Sequence, residues 1–235
     1  MNDWLTYFWP QLLIPWRLVP GVFNLPWLYV LLQPIRLLGV TGAWLALVVM
    51  SAAGIWIIGR RLGLSRIRRV LVLASPCFVW GSWMGAFDGV FLLGFVAPAS
   101  LAVFASLCKP QMNLAAGLDA LRRRPAVAIA VGLVLVISAF AIWGWPFSVR
   151  DAVAEAGQIR PLWNWSPWPW GLAFAPLLLR ARRLDELLLL SPLVAPYASV
   201  YSWIGPLLVM SSGRLVLAMV VWLLFWLRWL VMLAG

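Results

Sequence analysis

A succession of apolar stretches closed off by arginine clusters leaves this chain little choice of solvent. Residues 42–59 carry no charge and run into Arg60, Arg61, Arg66, Arg68 and Arg69; residues 125–144 form a second such stretch, directly after Arg122, Arg123 and Arg124. A helix of about 20 apolar residues spans a bilayer. With 64% hydrophobic and 11% charged residues and a mean hydropathy of +0.95, the 235-residue chain has too little polar surface to cover a soluble globule. The expectation is an all-α, polytopic transmembrane helix bundle of roughly seven to nine membrane segments. It forms a single domain, 1–235, integral to the bacterial cytoplasmic (inner) membrane.

The net charge of +11, from 18 Lys and Arg against 7 Asp and Glu, raises nucleic acid as a partner. The arginines, however, sit between apolar runs, which is the pattern of cytoplasmic loops, so membrane lipids are the expected partner and nucleic acid is not. Placing both the 60–69 cluster and Lys109 with Arg122–Arg124 in the cytoplasm requires two crossings between them, 70–86 outward and 89–108 back. Asp88 then faces outside and Lys109 inside. Cys77 and Cys108 lie in apolar runs and read as buried small hydrophobes. No histidine is present, which excludes histidine-based acid/base or metal chemistry, and no cofactor motif is found. The first residues lack the basic start and small-residue cleavage site of a signal peptide.

Taken in order, residues 1–25 read as an interfacial segment, with Trp4, Tyr7, Phe8, Trp9 and Trp16 at headgroup depth. Residues 26–39, broken by Pro34 and Arg36, make either a marginal span or a re-entrant helix. Gly81, Gly85 and Gly89 either form a flat packing face or make a turn. Residues 146–170 are a Trp-rich outer loop in which VRDAVAEAGQI can form a short helix lying on the membrane. Residues 171–179 return to Arg180, Arg182 and Arg183; 187–211 are one long span or two half-spans meeting at SPLVAPYASVYSW; 215–234 are a last span, with Arg228 able to snorkel.

Chemistry is therefore sought among the outer carboxylates Asp88, Asp151 and Glu155 and the tryptophans beside them. Indole faces stack on the apolar faces of sugar rings, and cations or amides hold phosphates, so this combination suits a sugar or lipid-phosphate site. Belt and packing roles account for most of the 18 tryptophans.

Four segments in order resemble the polyprenol-phosphate-sugar-dependent glycosyltransferases of the GT-C superfamily, in particular family 87, the alpha-mannosyltransferase-like group. They are FNLPWLYVLLQPIRLLG at 23–39, GAFDGVFLLG at 85–94, LCKPQ at 107–111 and SPLVAPYASVYSW at 191–203. The resemblance implies inverting transfer of a sugar from a polyprenyl-phosphate donor to a lipid-linked or glycan acceptor on the outer face. A carboxylate, Asp88 before Asp151 or Glu155, would be general base. Arg160 would contact the phosphate, and Trp163, Asn164, Trp165, Tyr197 and Tyr201 would line the substrate site. Lys109 and Gln111, on the inner side, would be structural.

The chain departs from that family in three places. Only about twenty residues precede the Pro-rich segment, Ala86 stands at the family's glutamine position, and Ser202 replaces an acidic residue. A second reading follows: a non-catalytic membrane subunit of a larger complex, or a lipid-binding scaffold, with protein partners. A transporter ranks last, because the central spans carry almost no polar residues.

Overall fold

The computed structural model describes residues 4–19, 24–147, 165–213 and 215–234. Among them all regular structure is helical, with no strand. Two helical stretches are long and apolar enough to cross a membrane, Gln33–Arg61 and Pro125–Trp143. A third is reached if Pro76–Met84 and Asp88–Phe95, bent by 111° at their junction, count as one broken span.

The chain opens with a π turn, Trp4–Phe8, and the short α1, Trp9–Leu13. This segment is buried on one side and exposed on the other, where Leu5, Leu13, Ile14 and Trp16 lie at the surface. Trp4 is buried against Phe87, and the fully buried Gln11 donates to the carbonyls of Ile14 and Arg17 and accepts from the N–H of Val19. A glutamine that satisfies its own loop can be buried at little cost, and that lets the segment fold inward. α2, Trp27–Leu31, leads through a 3-10 turn, Gln33–Leu38, into α3, Gly39–Arg61.

The expected 70–86 and 89–108 spans are both broken. α4, Arg66–Leu73, stops before Ser75, and Pro76 opens α5, Pro76–Met84. Gly85, at φ +82, then ends α5 in a left-handed conformation that a side chain would strain. The Ala86 N–H bonds the Gly81 carbonyl at 2.7 Å, and the Trp44 indole N–H bonds the Ser82 carbonyl at 2.9 Å, so the exposed helix end is satisfied. The chain turns into α6, Asp88–Phe91, and the 3-10 turn Leu92–Phe95, then Pro98 precedes α7, Ala99–Cys108. Pro110 excludes Lys109 from helical geometry (φ −138°, ψ 69°), so α7 ends there and α8, Pro110–Arg123, folds back along it as a hairpin.

α9, Pro125–Trp143, matches the expected 125–144 stretch. The 3-10 turn Trp170–Phe174 and α10, Ala175–Arg180, match 171–179. Of the two alternatives for 187–211, the structure has the broken one: α11, Leu184–Val194, runs through Pro192 and stops before Pro196, and the chain resumes as the 3-10 turn Val200–Trp203 and α12, Ile204–Ser212. α13 is Leu215–Ala234. The Glu186 carboxylate reaches back to the N–H groups of Arg182 and Arg183 at 3.0 and 3.1 Å, and these bonds hold it below the usual carboxylate range.

Arginines close helix ends. Arg122 donates to the carbonyls of Leu178, Leu179 and Ala181 at the end of α10, and Arg68 to those of Ser211, Ser212 and Gly213 at the end of α12. The larger core, around Ile55, Leu92, Ala115, Leu188 and Leu208, joins α3, α7, α8, α11 and α12. A second, around Trp4, Tyr29, Phe87 and Trp143, holds the N-terminal segment against α3 and α9.

Candidate active site

Asp88 begins α6 beneath the Gly85 turn, and its position is fixed by backbone contact with α3. The Gly89 N–H donates to Ser51 Oγ at 2.9 Å. A Cβ on Gly89 would sit 2.2 Å from the Ser51 carbonyl oxygen, and one on Gly54 would sit 2.0 Å from the Gly89 carbonyl oxygen. Only paired glycines allow this approach. Ser51 and Gly54 lie about 10–15 Å along α3 from Arg61, at 1.5 Å per residue, which sets the Asp88 junction well inside the apolar length of that helix.

Lys109 reaches the same place from the other direction. Its Nζ lies 3.0 Å from Asp88 Oδ1, with the two side chains 6% and 3% exposed. The two charges are thus partners in the interior, which corrects the expectation that they face opposite sides of a membrane. The assumption behind that expectation, an unbroken 89–108 helix, fails at Pro98, and the α7–α8 hairpin tip folds Lys109 inward. A lysine in an apolar passage is costly unless it finds a carboxylate, so the pairing was available from the sequence: Asp88 is the one acid between Asp3 and Asp119.

Tyr201 completes the cluster, its ring 5.5 Å from Lys109 Nζ. Gly81 packs against it; a Cβ there would lie 2.9 Å from Tyr201 Cβ. The three glycines therefore form no common face: Gly81 meets Tyr201, Gly85 makes the turn against Trp4, and Gly89 meets Ser51. Beside the ion pair is a recess lined by Ser51, Ile55, Cys77, Asp88, Tyr201 and Ile204. As it stands it has room for little more than a water molecule. Neither carboxylate oxygen of Asp88 has a hydrogen-bond partner among the described residues, beyond the ion pair at Oδ1. One turn along α8, the fully buried Asn113 likewise has no partner for its amide.

Of the other expected site residues, Asp151, Glu155, Arg160, Trp163 and Asn164 lie outside the described residues. Trp165 belongs to a different cluster: its backbone N–H donates to the Ala198 carbonyl, its ring meets Phe225 edge-on at 5.0 Å, and the Arg228 guanidinium stacks over it at 4.3 Å. Arg228 is exposed and lies over the face of that indole. Tyr197 is half-buried in the link after α11. The structure thus gathers Asp88 and Tyr201 around Lys109, and Ser51, Gly54 and Lys109 are the site residues that sequence reasoning missed. Compared with known protein families, curated proteins and solved structures, the chain matches none.

Proposed function

We propose that this is a multi-pass protein of the bacterial cytoplasmic membrane, a GT-C-like bundle of about seven to nine membrane segments with its arginine clusters on the cytoplasmic side. Its activity is transfer of a sugar from a polyprenyl-phosphate donor. The observation that carries the reading is convergence: Asp88, Lys109 and Tyr201 come from three of the four segments that resemble family 87, lie far apart in sequence, and meet within 3.0 and 5.5 Å. In the reaction the acceptor hydroxyl attacks the anomeric carbon, Asp88 takes the hydroxyl proton, and the polyprenyl phosphate leaves with the bonding electrons. Lys109 then exchanges the neutralised Asp88 for the leaving phosphate. The small recess requires the surrounding segments to separate before donor and acceptor reach the pair.

The test is transfer of labelled mannose from polyprenyl phosphate in vesicles containing the full chain. Wild type transfers sugar, and Asp88→Asn lowers the rate about 100-fold or more. The double change Asp88→Asn with Lys109→Met removes both charges, so its folding separates lost chemistry from lost structure. Wild-type activity in Asp88→Asn, with loss in Asp151→Asn or Glu155→Gln, would move the base into the 148–164 segment.

One observation favours a second reading, a non-catalytic membrane subunit or lipid scaffold: Asp88 is 2% exposed and already paired. An inactive wild-type chain that purifies with stoichiometric partner proteins would establish it.

A further inference from the structure

A groove lies away from Asp88, between α4, α12 and α13. Its floor is the buried Val72, Leu207 and Ala218, and its wall includes Met219 and Trp222. The Trp222 indole N–H is bonded to the Leu71 carbonyl at 3.1 Å, and the Ser211 hydroxyl to the Leu207 carbonyl at 2.7 Å, so neither has a donor left for a guest. The groove's charged element is Arg68. Its Nη1 holds the Ser211 carbonyl at 2.8 Å, while Nε and Nη2 bond to no acceptor among the described residues.

An apolar trough with a cation at one end accepts an amphiphile with an anionic head. The charges around it agree. Arg66, exposed, begins the same helix as Arg68, and Arg60 and Arg61, also exposed, end α3. No carboxylate occurs between Asp3 and Asp88, or anywhere after Glu186, so all three helices that build the groove are free of acid. Basic pockets between apolar helices are a recurrent headgroup site for anionic lipids.

We propose that this groove binds one anionic phospholipid, its acyl chain against Val72, Leu207 and Ala218 and its phosphate at the unused N–H groups of Arg68. The assignment is independent of sugar transfer. Native mass spectrometry of the delipidated full chain, titrated with phosphatidylglycerol and with phosphatidylcholine of identical chains, tests it. Phosphatidylglycerol binds in a discrete one-to-one step that phosphatidylcholine lacks. Met219→Trp, at a half-exposed wall position, fills the trough and abolishes the step with the fold intact. Equal binding of the two lipids, or an unchanged step in Met219→Trp, overturns the proposal. So does displacement of phosphatidylglycerol by an equal concentration of polyprenyl phosphate, which would give the groove to the sugar donor.

Discussion

At the scale of single residues, the Asp88–Lys109 pair decides most. Each charge is buried nearly completely and each has the other as its neutralising partner. Removing one strands the other, which costs about 3–5 kcal/mol, whereas removing both together is often close to neutral. Lys109→Met and Asp88→Asn should each lower thermal stability in detergent markedly, and the double variant should recover most of the loss. A double-mutant cycle with no recovery would mean that the two charges are not coupled. The pair was half legible in the sequence. Both residues stand out as charges in an apolar passage, but a helix drawn straight through Pro98 placed them apart.

At the scale of elements, small residues and prolines shape the site more than the hydrophobic pattern does. Periodicity located α3, α9, α10 and α13, whose apolar runs are continuous. It failed where a run is continuous in composition but interrupted in geometry, at Pro76 and Pro98, because a hydropathy profile does not register a bend, whereas the breaks at Gly85 and Pro196 were among the alternatives the glycines and prolines offered. Gly54 is the sharpest case, for it looks like any glycine in an apolar helix, and only the contact with Gly89 shows its purpose. Gly54→Ala should push α6 away from α3 and destabilise by about 1–3 kcal/mol or more, since the obstruction is backbone. Gly132→Ala in α9 is the control. Its Cβ would meet Val103 at an ordinary 3.7 Å, so the helix gains about 0.5–1 kcal/mol. Chemical denaturation of both variants checks the contrast; equal effects would mean that the α3–α6 approach is looser than described.

At the scale of the whole molecule, composition conveyed the all-helical class and the apolar character, because both are sums over many residues. How the helices meet was not legible, because it depends on a few contacts between distant segments. The molecule carries its own reporters of that assembly. Cys77 sits in the larger core and Cys108 in the second, and both are buried. Maleimide labelling read by mass should leave both thiols unmodified in the folded protein and expose them together on unfolding. Early labelling of Cys108 alone would show the N-terminal core opening as a separate unit.

The buried pair also constrains how such a chain can be made. In a membrane the bent segment Pro76–Phe95 brings an uncompensated carboxylate into lipid, and its partner follows 21 residues later, at the tip of the α7–α8 hairpin. Neither hairpin is a comfortable guest of the bilayer alone. In such a setting the two segments enter at least cost together, as one neutral unit.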